Sequence, residues 1–307
     1  MIQKKAQYNF VLIFAIIAGA AILFLAIYGA VKLGNSQQYQ INTETAKKIA
    51  ILTDPLQAGF TAGKYNKITF NQEIRINNVC DFSDDFGKNK ISVSTSPNSG
   101  KKWIEQGGEI SVYNKYIFSN STGQGKNFFV FSKPFELSYK VADLIFLTSE
   151  KYCFVNPFSN MNQELSSLNM ENTELKQDKS ECSKDYIQVC FNENCDISVF
   201  GTEEEGYVAK ENENLNYAGS LIYGAIFSDR DNYECNVKRL LYRTGKIAEV
   251  YSEKADILNK KICSNLMADK LNLFHDAVIN SNSGQLNSIN ELSKELYEGN
   301  KAGCEIW

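Results

Sequence analysis

Residues 10–31 read FVLIFAIIAGAAILFLAIYGAV, a run with no charge, no proline and no strongly polar side chain. As an α-helix rising about 1.5 Å per residue it reaches about 30 Å, the thickness of a bilayer's hydrocarbon core. The sequence therefore predicts a transmembrane helix over 10–33. Outward from it come a short cytoplasmic segment over 1–9, a stalk helix over 34–55, a β-rich ectodomain over 56–201 and a helical region over 202–307. A cleaved secretory signal is the competing reading, and Ala26-Ile27-Tyr28 and Gly29-Ala30-Val31 offer weak small-x-small sites. The apolar core of a signal is about 7–15 residues, however, and this run is longer.

Lys4 and Lys5 precede the run, whereas only Lys32 follows closely and the next charge is Glu44. The positive-inside bias places the N-terminus in the cytoplasm and the mass of the chain outside. Cysteine placement agrees. All eight (Cys80, Cys153, Cys182, Cys190, Cys195, Cys235, Cys263, Cys304) follow the span, where an oxidising exterior would pair them. Spacing does not fix connectivity: Cys190 and Cys195 can cross-link one turn, Cys182 can pair with either, and Cys235, Cys263 and Cys304 can tie helices to the sheet or to one another. Ala15, Gly19, Ile22, Ala26, Gly29 and Ala30 form a seam of mostly small residues along the span, of the kind that lets two helices approach closely in lipid.

Lys4-Lys5-Ala6 before Gln7-Tyr8-Asn9 and a long apolar helix resembles the processing region of archaeal type IV pilin precursors. That resemblance implies cleavage between Ala6 and Gln7 and assembly through the N-terminal helix. The chain departs from the commoner pilin pattern in lacking a glutamate near the start of the would-be mature helix. More broadly, KAQYNFVLIFAIIAGAAILFLAIYG, ILTDPLQAGF, FSKPFELSYKVADLIFLTSEKYCFVN and CNVKRLLYRTGKIAEVYSEKADIL resemble uncharacterised single-pass membrane proteins of small-genome archaea, which implies topology but no activity.

All 36 acidic residues and all but three of the 32 basic ones follow Asn35, leaving the outer part at a net charge of −7. A mildly acidic surface argues against a nucleic-acid partner. Beyond Lys32, Ile41, Thr45, Ile49 and Leu52 keep helical spacing up to Asp54-Pro55, predicting a stalk that bends at Gly34-Asn35-Ser36 or runs straight and in either case lifts the next domain clear of the membrane. Period-two patterns predict strands near 67–80 and 91–94. Others fall at 110–118 and 127–131, joined by a hairpin loop at 119–125, and at 152–155. Residues 141–147 are a buried helix or strand. Residues 159–184 read as a loop with a weak stripe of Met161, Leu165 and Leu168. Ile187–Phe191 and Cys195–Val199 read as a hairpin. After Glu203-Glu204-Glu205-Gly206 the pattern is helical, with a long stripe from Val237 through Leu240, Leu241, Thr244, Ala248 and Ala255 to Ile262, and two shorter helices near 265–279 and 285–297. The expected fold is α+β, an antiparallel β-rich ectodomain packed with a C-terminal helical region.

Little in the sequence nominates chemistry. The one histidine, His275, has no Gly-x-Ser-x-Gly elbow beside it. Asp81, Asp84 and Asp85 lack the fixed offsets of a calcium loop, and Gly123-Gln124-Gly125 lacks a Walker lysine. Trp103 and Trp307 are contact residues or core fillers. Asn120-Ser121-Thr122 is a glycosylation sequon. No catalytic, cofactor or metal residue is nominated. The expected role is a non-enzymatic, membrane-anchored surface protein whose partners are the lipid bilayer, a second copy through the span, and a protein or envelope component. The alternatives are a pilin-like filament subunit and, more weakly, a surface hydrolase with dispersed carboxylates.

Overall fold

The computed structural model describes residues 3–52, 65–83, 86–96, 103, 106–211, 213–259, 267–302 and 305–307. Asp54-Pro55, Gly59, Gly63, Asp84, Asp85, Lys101, Lys102, Ile262, Cys263 and Cys304 lie outside them. The chain is α+β: a long apolar N-terminal helix, a β-rich body of two sheets, and helices toward the C-terminus.

Helix α1 (Gln3–Leu52) is continuous, with no interruption at Gly34-Asn35-Ser36. Its last turns lie against the body. Asn42, Ala46 and Ile49 are buried against the first sheet, because their three- and four-residue spacing gives one narrow face that the sheet can cover.

The first sheet runs in the order β3 (Ile110–Tyr113), β2 (Lys88–Thr95), β1 (Tyr65–Asp81), β5 (Thr122–Glu136), β6 (Lys140–Thr148), β4 (Tyr116–Phe118). All pairings are antiparallel except β4 with β6. The stretch expected as one strand over 110–118 is thus two, broken at Asn114, whose φ of 56° turns the chain into the left-handed region where asparagine is tolerated. The two pieces occupy opposite edges of the sheet although only Asn114 and Lys115 separate them, so the sheet must curl until its edges meet. Residues 119–121 therefore do not join a hairpin; β5 pairs instead with β1 and β6.

Strand alternation sends Ile74, Ile76, Ile91, Val93, Ile117, Phe128, Val130, Ile145 and Leu147 to the side that holds Ala46 and Ile49. The neighbouring positions Tyr116, Phe118, Phe131, Leu144 and Phe146 join the second core. Both faces of the central strands are buried, which is why 141–147 reads as an unbroken apolar run and resolves as strand β6.

The second sheet has the order β12 (Glu213–Ala218), β11 (Glu205–Lys210), β10 (Ile197–Gly201), β9 (Ile187–Phe191), β7 (Tyr152–Val155), β8 (Thr173–Lys176), and it is mixed. The expected hairpin at 187–199 is instead a parallel pair, with Ile197 opposite Val189 and Val199 opposite Phe191. Parallel neighbours ordinarily need a long crossover. Here the chain must regain only two residues, about 7 Å, which five residues can span. The region expected to be helical from 202 begins with two further strands, β11 and β12; their mixed polar sequences, EGYVAK and ENLNYA, carry no strong apolar alternation.

Helix α2 (Ser159–Leu168) occupies part of the stretch read as a loop, and its stripe of Met161, Leu165 and Leu168 is core. Helices α3 (Leu221–Phe227) and α4 (Arg230–Asn259) each touch both sheets; of the terminal pair, α5 (Met267–Val278) packs on α4 and α6 (Leu286–Ala302) packs on α5 and on β11 and β12. The stripe read from Val237 onward is buried at Val237, Leu240, Leu241, Thr244, Ala248 and Ala255. Phe227 sits among Phe131, Phe146, Tyr152 and Phe154. Gly224 makes this possible, since a Cβ there would lie 2.6 Å from Phe118 Cδ1.

Among the described residues three disulfides pin the body: Cys80–Cys235 joins β1 to α4, Cys153–Cys182 joins β7 to the segment before β9, and Cys190–Cys195 brackets the loop between β9 and β10. Of the pairings left open by sequence, Cys190 with Cys195 is the one found, and Cys182 takes neither.

Candidate functional site

Three places concentrate polar or exposed chemistry: the junction of α1 with the first sheet, a buried polar network at the seam of that sheet, and a cleft between the two sheets.

At the junction, Gln38 Nε2 donates to Thr95 Oγ1 at 2.8 Å and to Asn42 Oδ1 at 3.2 Å, and the Gly108 amide donates to Thr43 Oγ1 at 2.8 Å. Farther along, Lys115 Nζ donates to the Ala50 carbonyl at 2.7 Å. Gly107 permits the close approach, because a Cβ on it would lie 2.7 Å from both Asn42 Cβ and the Thr43 nitrogen. The helix is thus fixed to the body over three turns. Toward its N-terminus the same helix is bare: Phe10, Leu12, Ile16, Leu23 and Phe24 are each more than half exposed. Among the described residues, Gly19 and Gly29 have no neighbour outside their own turns of helix within 4 Å of where a Cβ would stand, so the small-residue seam is unpacked there. Ala15, Ile22, Ala26 and Ala30 are likewise exposed, and Ala6 and Gln7 lie in the first turns of the helix. It is long and apolar enough to cross a membrane, as an anchor or a signal sequence.

The seam of the curled sheet is closed by side chains in place of a strand ladder. Asn89 Nδ2 donates to the Ile117 carbonyl and Asn89 Oδ1 accepts from the Ile117 amide, both at 3.4 Å, so one amide side chain mimics a neighbouring strand. Asn78 Nδ2 donates to the same carbonyl at 3.0 Å, and Asn236 Nδ2 does so at 3.1 Å. Behind them lies Arg239, fully buried. Its guanidinium donates to Asn89 Oδ1, Asn236 Oδ1 and the carbonyls of Phe86 and Gly87, and stacks over Tyr116. Burial pushes its pKa down to about 10, so it remains a cation at neutral pH. Its donors are occupied by fixed neutral oxygens, and its role is to hold the seam.

The cleft, of about 470 Å³, is lined by Asn120, Tyr152, Asp196, Lys210, Glu211 and Asp229 among others. Lys210 lies on the same side of β11 as buried Val208, an inward position for a cation. Its Nζ donates to the Ile226 and Ser228 carbonyls at the end of α3, where a cation suits the helix dipole. Burial pushes its pKa down to about 8, against the opposing pull of Asp229. Asp229 itself accepts from the amides of Ser121 and Asn232. Lysine 210 was not singled out by sequence, and the signal available was a lysine two residues from Val208 in a strand.

The residues weighed by sequence are scattered among these places. His275 faces the Gly245 carbonyl, Nδ1 to oxygen 2.9 Å, and so joins α5 to α4. Asp81 is ion-paired with Lys90 at 2.8 Å and accepts from the Ser83 amide, which together hold its carboxyl down to about 2. Gly123-Gln124-Gly125 lies within β5. Trp307 is a core filler: its Nε1 donates to the Ser138 carbonyl at 2.6 Å and its ring meets Tyr139 and Tyr251. Trp103 carries Arg75 over its ring at 4.0 Å. Asn120 is exposed, at the mouth of the cleft. Among the described residues no group of three His, Cys, Asp or Glu side chains is placed to hold a metal ion.

Comparison of the chain with protein families, curated proteins and solved structures finds no match.

Proposed function

We propose that this is a single-pass membrane protein with a cytoplasmic N-terminus and an extracytoplasmic, disulfide-bridged body that acts by binding or scaffolding and not by catalysis. The supporting observation is α1: among the described residues its apolar half has no partner, while its polar half is clamped to a body held by disulfides. Exposed apolar surface of that extent in water is costly, and lipid removes the cost. Lys4 and Lys5 set the orientation. The polar clusters are committed to structure, Arg239 to the sheet seam and His275 to a helix contact, which favours binding over catalysis. Protease treatment of right-side-out membranes tests the topology: digestion of the body with retention of a protected fragment containing 1–33 is expected, and full protection would refute it. Asn120, exposed beside the cleft, is the proposed glycan position, to be read by a mass shift lost in Asn120→Gln.

A pilin-like subunit is the second reading, favoured by one particular feature. Because α1 is unbroken and docked, packing several copies through Ala15, Gly19, Ile22, Ala26, Gly29 and Ala30 would arrange the bodies in a fixed order. N-terminal sequencing separates the two: a start at Gln7 with filaments supports the subunit, and an intact Met1 or Ile2 removes it.

A further inference from the structure

We infer that the groove between α5 and α6 is where two copies of this chain, anchored in one membrane, meet face to face about a two-fold axis along the groove. The inference rests on the membrane-anchored reading above, which supplies the confinement it needs.

The groove, of about 150 Å³, uses the same spacing on both helices: Lys270, Leu273 and Phe274 on α5, and Leu292, Glu295 and Leu296 on α6. Positions i, i+3 and i+4 share one helix face, so each wall offers two apolar side chains and one charge. Phe274 and Leu296 are buried and form the floor, and Phe274 is held edge-on to Tyr139. Leu273 and Leu292 form the rims and are 70% and 43% exposed. Single exposed leucines are ordinary, whereas two that flank an apolar floor make a patch suited to a partner.

The charges indicate which partner. Lys294, on another face of α6, is paired within the chain to Glu204 and Glu291. Lys270 and Glu295 have no ion-pair partner among the described residues, although they stand on opposite walls of one groove. Lys270 Nζ lies over Gly299, 3.3 Å from where a Cβ would stand, and Gly299 is about one turn along α6 from Glu295. A half-turn about the groove axis lays α5 of one copy on α6 of the other. Lys270 then comes over the partner's Glu295, and Glu295 over the partner's Lys270, while Leu273 meets the partner's Leu292. One symmetry operation covers the leucines and pairs both charges. An unrelated apolar segment would cover the leucines and leave both charges unpaired.

The direction of the groove suits two copies in one bilayer. Gln38 bonds Thr95, and Asn42 abuts Gly107, whose amide donates to the Val93 carbonyl; Thr95 and Val93 pair with Ile74 and Ile76, so α1 runs with β1. Helix α4 runs against β1. Asn232 bonds the Asn78 carbonyl, whereas the Thr244 carbonyl accepts from Tyr139, which follows β5 beyond Phe131, the partner of Tyr65 at the start of β1. Helix α5 folds back along α4, with His275 at Gly245 and Ala268 at Ser252, and α6 folds back along α5, with Gly299 at Met267. The groove axis therefore lies broadly along α1, and so along the membrane normal, where a two-fold relating two anchored copies must stand.

The face is small. Helices of 12 and 17 residues present about 18 by 20 Å, roughly 700 Å² over both copies, below the ~1,600 Å² of a standard interface. Confinement by α1 raises the effective concentration and makes so small a contact sufficient.

The experiment measures energy transfer between full-length copies labelled at the N-terminus with donor or acceptor, dilute in phosphatidylcholine vesicles. All arms carry Gly19→Ile and Gly29→Ile, which remove close packing of the span. Transfer should persist in this background. Lys270→Glu and Glu295→Lys should each weaken association about tenfold, and the two together should restore it. Leu273→Glu, at an exposed position, should weaken it with an unchanged urea midpoint. No transfer in the background, single reversals that associate like the parent, or a double reversal that does not recover would each overturn the inference and leave the anchor intact. A chain that does not enter the vesicles overturns the anchored reading and the inference together.

Discussion

Replacing Cys80 and Cys235 together by alanine opens the longest covalent loop in the body, because the pair is 155 residues apart in sequence. Loop-closure entropy puts the loss at about 5 kcal/mol for this bridge, against about 3.6 for Cys153–Cys182 with its separation of 29 and about 2 for Cys190–Cys195 with its separation of 5. The structure adds to the first figure. The Cys80 amide donates to Asn232 Oδ1, and Asn232 Nδ2 donates in turn to the Asn78 and Ser119 carbonyls, so α4 is stapled to the sheet by the bridge and by hydrogen bonds that depend on the same register. Urea unfolding of the three double-alanine variants, each in detergent with the other two bridges verified by non-reducing peptide mapping, gives the order directly. The reasoning requires Cys80–Cys235 to be the most costly loss by about 3 kcal/mol over Cys190–Cys195. Equal losses, or a larger one for the short loop, would refute it.

Gly107→Ala should force α1 off the sheet, since the new methyl would meet backbone and side-chain atoms of Asn42 and Thr43; a cost of about 1–3 kcal/mol and new protease cleavage within 38–52 are expected, with an unchanged digest counting against the docked helix. Arg239→Met should cost about 3 kcal/mol by leaving Asn89, Asn236 and two carbonyls without their donor in a buried site, read by chemical denaturation; a change under about 0.5 kcal/mol would contradict the seam role. Lys210 binds its proton less tightly folded than unfolded, so the unfolded chain carries more protons between about pH 8 and 10.5 and this residue's contribution to stability rises with pH across that window, by about 3 kcal/mol in all. Its acetylation rate, followed by mass spectrometry, should level off just above pH 8, whereas a rate still climbing past pH 10 would place its pKa at the ordinary value.

The parts of the fold legible in the sequence are those set by one strong local signal. Phe10–Val31 declares its length and apolarity without context, and the stripe from Val237 to Ala255 can only be one face of a helix. Strand 152–155 and the α+β class follow from periodicity in the same way. What periodicity cannot carry is pairing. Residues 110–113 and 116–118 look like one strand because the break at Asn114 is a single backbone rotation, and nothing local says that the two halves belong to opposite edges of a curled sheet. The turn at 192–196 carries hairpin residues, yet the chain doubles back by two residues across it and β10 sets out in the same direction as β9. The docking of α1 was not legible: the spacing read from the sequence ran through Ile41, Thr45, Ile49 and Leu52, whereas the face that docks is Asn42, Ala46 and Ile49 with Ile41 left exposed, and a stalk in water and a helix on a sheet have the same period. The site residues were less legible still. Arg239, beside Lys238, and Lys210 carry no motif, and their meaning comes from carbonyls brought near by distant segments.

The central claim is that a membrane-held helix carries a sulfur-bridged body on the oxidising side. The most direct measurement is a non-reducing peptide map of the chain recovered from carbonate-washed membranes, with free thiols blocked at lysis. The account predicts recovery in the membrane pellet with Cys80–Cys235, Cys153–Cys182 and Cys190–Cys195 linked. Full-length chain in the wash, or those six cysteines recovered as blocked thiols, would contradict it.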